Sequence, residues 1–199
     1  TDYGASGTKD TKNKVTKKIS AIAKNSLQEK KYSQLIFRLV NFSNAKNIVE
    51  LGTSLGITSL YIANASKKSR FITLEGSQEI AAIAKENFER MKCKNIEIIT
   101  GNFDDLLPEV LSRFDQVDLV YFDGNHRKHA TLEYFHQCMK KITPDSVFIF
   151  DDIYWSKEMK AAWDEIINNE NVSISIDLYK LGLVFFRHGI PKQHFQLKY

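Results

Sequence analysis

The sequence predicts a single doubly wound α/β domain, with a seven-stranded, mostly parallel sheet that ends in a C-terminal antiparallel hairpin strand. Three observations predict it. Five short β-branched runs alternate with longer stretches of helical periodicity, which implies parallel strands joined by helical crossovers. The last two apolar runs are joined by only a few residues, which suits a hairpin and not another crossover. And 199 residues with 43% hydrophobic content can bury one sizeable core but are too few for two ordinary enzyme domains.

Residues 1–9 are rich in Gly, Ser and Thr, have little to bury, and read as a flexible tail; residues 10–199 read as the domain. Two helical stretches open the domain, the first carrying Ile19, Ile22 and Ala23 on one face, the second Leu35, Ile36, Leu39 and Val40. Strands are expected at Asn47–Leu51, Phe71–Leu74, Ile96–Ile99, Val117–Phe122 and Val147–Phe150, with helices between them over Ser59–Ala65, Gln78–Met91, Phe103–Leu111 and Thr131–Lys141. One further helix holds Met159, Ala162, Trp163 and Ile166. The runs Val172–Leu178 and Leu183–Phe186 then form the hairpin. The strand count is seven, in a Rossmann-like arrangement without internal repeats.

The formal charge of +4 is exceeded by Lys9, Lys12, Lys14, Lys17, Lys18 and Lys24 alone, so the basicity is local. A solvated Lys-rich face is the simpler reading, and nucleic-acid binding is not inferred from it. Cys93 and Cys138 stand alone, with neither zinc-site spacing nor a disulfide framework. No apolar run approaches the roughly 20 residues that span a bilayer, and the expectation is a cytoplasmic, soluble protein without a membrane anchor. An exposed sheet edge after the hairpin leaves room for a homodimer.

In an open α/β sheet, ligands sit beyond the carboxyl ends of the strands. The first such end is Glu50-Leu-Gly52-Thr53-Ser54-Leu-Gly56, where the glycines allow a tight turn and the following helix presents free amides. Glu75 ends the second strand, where a carboxylate with two oxygens can accept hydrogen bonds from both hydroxyls of a ribose. A dinucleotide enzyme would use the same device, but the loop lacks the Gly-x-Gly-x-x-Gly spacing that admits a pyrophosphate, and Glu50 would repel one. An anion at the loop base suits a cationic ligand, such as the ammonium end of a methionine moiety. After the third strand, Gly101-Asn102-Phe103-Asp104 offers Asn102 or Asp104 to an adenine edge and Phe103 to its face.

These residues resemble class I S-adenosylmethionine (SAM) methyltransferases, most closely the catechol O-methyltransferase-like group of small metal-assisted O-methyltransferases. The resemblance covers roughly residues 32–187 and rests on Val49–Thr58, Thr73–Glu75, Gly101–Asp104, Asp118–Asp123 and Phe148–Asp152 in that order. It implies SAM as cofactor, with Glu50 at the methionine end, Glu75 at the ribose and Asn102 and Phe103 at the adenine. Gly52, Thr53, Ser54, Thr58, Gly76 and Asp123 complete the implied cofactor site. It also implies a divalent ion, Mg²⁺ or Ca²⁺, on Asp123, Asp151 and Asp152, where Asp152 replaces the usual Asn. Three carboxylates at neighbouring strand ends make a hard oxygen set of the kind these ions accept. The alternative is that Asp123 and Asp152 cap the helices that follow.

The resemblance places a catalytic Lys where this chain has His126, and His126 with Asp123 is the implied catalytic pair. An imidazole can act as a base near neutral pH. The residues after Asp152 depart from the family, so the acceptor is read only as a small molecule; Tyr154 and Trp155 could stack on it or serve the core. Two rival functions stay open: a metal-independent methyltransferase acting on nitrogen, protein or RNA, and a SAM-binding module without catalysis.

Overall fold

A computed structural model describes residues 27–199, so the expected tail, the helix around Ile19–Ala23 and the Lys-rich segment lie outside the described residues. The order is α1 (Lys30–Ser43), β1 (Asn47–Leu51), α2 (Ile57–Ala65), β2 (Arg70–Glu75), α3 (Gln78–Arg90), β3 (Ile96–Thr100), α4 (Phe103–Ser112), β4 (Leu119–Phe122), α5 (Lys128–Met139), β5 (Val147–Asp151), α6 (Lys157–Asn168), β6 (Ile174–Asp177), β7 (Leu181–Phe185) and β8 (Gln193–Gln196).

The strands form one sheet in the order β3-β2-β1-β4-β5-β7-β6-β8. β1 to β5 pair in parallel, and β7 enters antiparallel between β5 and β6. The chain winds outward from β1 to β3 and then, from β4, to the other side. That reversal leaves a crevice at the carboxyl ends of β1 and β4, the switch point where such sheets bind ligands. The expected seven strands are all present. An eighth, β8, is added in parallel to β6 at the sheet edge. Its four residues are all exposed and alternate without an apolar face, so no period in the sequence marks it.

Two apolar layers hold the sheet. On one face α4, α5 and α6 bury Leu107, Phe135 and Trp163 against Val120, Phe122 and Phe150. Phe122 and Phe150 stack at 4.4 Å between centroids, 8° from parallel. On the other face α1 and α2 bury Ile36, Val40 and Ile62 against Ile48, Leu119 and Ile149. The central strands are covered on both faces, which is why they read as continuous apolar runs. Among the described residues, no helix is long and apolar enough to cross a membrane.

Candidate active site

The loop after β1 is shaped by backbone contact. Gly52 has φ +101°, and a Cβ there would lie 2.1 Å from the carbonyl oxygen of Asp123. Only a residue without a side chain lets the end of β1 lie so close against the end of β4. The Gly52 and Thr53 amides donate to the Leu74 carbonyl at 2.9 and 3.2 Å, which ties the loop to β2 as well. Gly56 serves packing: a Cβ there would enter the Phe88 ring at 2.4 Å. α2 starts at Ile57 without a side-chain cap, and Thr58 is buried in its first turn.

Beneath this loop Glu50 is fully buried. Its Oε2 accepts from Ser59 Oγ at 2.5 Å and from Thr73 Oγ1 at 2.6 Å. Because Thr73 spends its proton on Glu50, the 2.6 Å contact between the Thr53 and Thr73 hydroxyls makes Thr53 the donor. Glu50 Oε1 has no hydrogen-bond partner among the described residues. Burial pushes the Glu50 carboxyl up to about 8, against the two hydroxyl bonds that lower it and with the Glu75 charge that adds to the rise.

Glu75, at the end of β2, accepts from the Ser54 amide at 2.8 Å on Oε2 and from the Ser77 amide at 3.0 Å on Oε1. Ser54 sits at φ +48°, so the loop turns its amide onto the carboxylate. Gly76 links Glu75 to Ser77, whose hydroxyl caps α3. Asn102 caps α4 through the Asp104 amide at 3.3 Å. With that cap set, Phe103 as first helical residue turns inward: it is 8% exposed, lies edge-on to Tyr134 at 6.2 Å, and abuts Gly124. Asp104 is exposed and accepts from the Tyr134 hydroxyl at 2.6 Å.

The acidic ends of β4 and β5 meet beside the loop. The Asp123 and Asp151 carboxyls stand close enough to act on each other electrostatically. Tyr121 donates to Asp123 Oδ2 at 3.1 Å, and Gln28 Nε2 donates to Asp151 Oδ1 at 2.6 Å. Burial raises Asp123 well above the carboxylate range, with the neighbouring Asp151 adding to it. Burial also raises Asp151 to about 6, less because Gln28 and Lys180 favour its charged form. His126 Nε2 stands 3.7 Å from Asp123 Oδ1. Burial lowers the imidazole, so near neutral pH the contact joins a neutral ring to the acid, not an ion pair. Asp152 takes a left-handed φ of +51°, a region where Asn and Asp are the commonest non-glycine residues.

The structure therefore gathers Glu50, Gly52, Thr53, Ser54, Thr58 and Glu75 around the loop after β1, with Asp123 directly against Gly52 and Asp151 and His126 beside Asp123. Phe103 it seats in the core. Gln28 and Tyr121 belong to the acidic network but carry no sequence signal. Thr73 and Ser59 left one, as polar residues interrupting apolar stretches.

A doubly wound sheet with a glycine loop and paired carboxyls at its switch point defines an α/β protein that holds a ligand beyond its strand ends. The chain belongs to the methyltransferase domain family, whose model matches residues 49–153, from β1 to just past β5. It is similar to a catechol O-methyltransferase of Niastella koreensis, 32% identical over 126 residues that cover 62% of this chain and 55% of the relative. It is also similar to the O-methyltransferase imqG of Aspergillus flavus, 27% identical over 131 residues, 63% of this chain and 51% of the relative. The chain thus spans about half the length of these curated relatives. Among solved structures, the O-methyltransferase TomG from Streptomyces achromogenes, in complex with SAM, matches with TM-score 0.72 at 20% identity over 85% of this chain and 89% of that one. The O-methyltransferase from Bacillus cereus, in complex with SAH, matches with TM-score 0.69 at 20% identity over 86% and 92%. At that identity the likeness is one of fold.

Proposed function

We propose that the chain is a SAM-dependent O-methyltransferase acting on a small-molecule acceptor in the cytoplasm, where its two unpaired cysteines, Cys93 and Cys138, would remain thiols. The observation that carries the reading is Glu50: a buried carboxyl at the loop base with one oxygen lacking a partner among the described residues. A ligand with an ammonium group would supply that partner and favour the charged carboxylate. The same carboxylate disfavours a diphosphate. The residues thus fit SAM, with Glu50 toward the methionine end, Glu75 toward the ribose, and Gly52, Thr53, Ser54, Thr58, Gly76 and Asn102 around it. Phe103 contributes as the packed floor beneath Gly124.

When bound, the cofactor supplies an electrophilic methyl group on a sulfonium. The chain's own part is positioning and deprotonation. His126, neutral near pH 7 through its burial, accepts the acceptor hydroxyl proton at an imidazole nitrogen, and the Asp152 charge favours the imidazolium that forms. The acidic ends of β4 and β5 do not fit a divalent ion in this arrangement. Among the described residues no group of three or more His, Cys, Asp and Glu side chains is placed to hold one, and the sequence-implied trio Asp123, Asp151 and Asp152 does not gather as a donor set.

Calorimetric titration with SAM and S-adenosylhomocysteine tests the reading. Wild type should bind both, and Glu75→Ala should lose at least about tenfold in affinity, the equivalent of about 1.4 kcal/mol. Absence of binding by wild type, or equal binding by the variant, would overturn it. Turnover of any hydroxyl-bearing acceptor separates an enzyme from a binding module.

A further inference from the structure

Gln28 lies just before α1, yet it is 9% exposed and reaches across the crevice to β4 and β5. Its Oε1 accepts from the Glu29 amide at 3.0 Å, which sets the amide so that Nε2 faces the acidic strand ends. Nε2 then donates to Asp151 Oδ1 at 2.6 Å and lies 3.3 Å from the Tyr121 hydroxyl. Tyr121 in turn donates to Asp123 Oδ2. Each acid is thus held by a neutral donor from the protein. Asp152 sits at a left-handed φ of +51°, its carbonyl accepting from the Trp155 amide at 2.8 Å, and its charge adds to the rise of both Asp123 and Asp151. A divalent ion bound by oxygen needs several such atoms aimed at one point at about 2.0–2.6 Å. Here an NH₂ group already donates to Asp151 Oδ1.

We propose that Gln28 is a positioning residue that takes the place of a divalent cation at Asp151, so that the site binds no Mg²⁺ or Mn²⁺ and methyl transfer proceeds without one. An amide supplies directed donors without a formal charge, and Lys180 supplies the balancing positive charge near Asp151. The proposal bears on catalysis only through the methyltransferase reading, but the cation-binding claim stands apart from it.

The test is titration of the chelator-treated full chain with Mn²⁺, following the free-ion paramagnetic resonance signal, with Mg²⁺ calorimetry alongside. Wild type should leave the free signal unchanged up to about 1 mM, the weak end of oxygen-ligand sites. Gln28→Glu, which puts a carboxylate where the amide stands, should gain Mn²⁺ affinity by at least about tenfold. Gln28→Ala, which only vacates the position, should gain less, and it serves if the Glu variant does not fold. A residue with a purely structural role would change melting temperature without creating cation affinity. Saturable Mn²⁺ binding by wild type that Asp151→Asn abolishes would overturn the proposal, as would folded Gln28 variants with no gain. Failure of SAM to bind would remove the methyltransferase reading and leave the cation result standing.

Discussion

Replacing Glu50 with Gln should make the empty protein more stable near neutral pH, and the gain should grow with pH. Burial lifts the native carboxyl to about 8 from an ordinary 4.5. Between those values the native state keeps a proton that the unfolded chain has released. Stability therefore falls as pH rises, by roughly 1.4 kcal/mol per pH unit. The contribution is whole below about pH 4.5 and is lost progressively until pH passes about 8. At pH 7 the accumulated loss is roughly 3 kcal/mol. Gln keeps an oxygen for Ser59 and Thr73. It also buries an unpartnered NH₂, a cost of about 1–3 kcal/mol that does not vary with pH. The pH slope is thus the clean signal. For a chain of this size, 1 kcal/mol moves the melting temperature by roughly 2–4 °C, so the gap between variant and wild type should widen by roughly 3–6 °C per pH unit between about pH 5 and pH 7.5. Thermal unfolding by far-ultraviolet circular dichroism, on both proteins at four pH values, measures this. Melting curves that shift in parallel with pH would refute a raised Glu50. If SAM brings its ammonium to Glu50, binding near pH 7 should also release a proton, visible as a heat that depends on the ionisation enthalpy of the buffer.

Gly52→Ala should cost more than about 3 kcal/mol in urea unfolding, since it combines a left-handed backbone with a Cβ driven against the Asp123 carbonyl. Gly182→Ala presses a Cβ to 2.5 Å from the Trp163 ring. It should cost about 1–3 kcal/mol and shift the buried component of tryptophan fluorescence. His126→Gln should lower kcat/KM by about 10²–10⁴-fold. In wild type the acid limb of the pH–rate profile should have its midpoint below the ordinary histidine value of 6.5, because burial lowers this imidazole; a midpoint above it would argue for another base.

The parts of the fold buried on both sides were legible in the sequence. β1, β2, β4 and β5 appear as apolar runs because helices cover both faces, and on the expected face of α1 Ile36 and Val40 are buried with Leu35 and Leu39 half-buried against the same cluster. β8 was not legible, because an exposed edge strand is held by backbone bonds such as Gln193 to the Ser173 carbonyl, and these ask nothing of its side chains. Of the site, the loop and the strand-end acids were legible from position alone. Gln28 was not: its partners Tyr121 and Asp151 lie 93 and 123 residues away, and only the completed sheet brings them together. Phe103 shows the converse. Its place after a strand suggests a ligand contact, and what position alone did not reveal is that the Asn102 cap fixes the helix start so that the ring packs against Tyr134.

The contact of Gly52 with Asp123 has its counterpart at Gly124, where a Cβ would lie 3.3 Å from the Leu51 carbonyl and 2.6 Å from the Phe103 ring. The loop after β1 and the turn after β4 therefore meet backbone to backbone at two glycines, where a side chain would clash. An engineer who wants a new acceptor has no handle there. Side chains open to variation stand after β5 and in the β6–β7 turn, where Trp155 is 65% exposed and Tyr179, 74% exposed, stacks on Tyr154. On the proposed methyltransferase reading, libraries built on those three aromatics would vary the surface beside the strand ends while the glycine joint stays fixed.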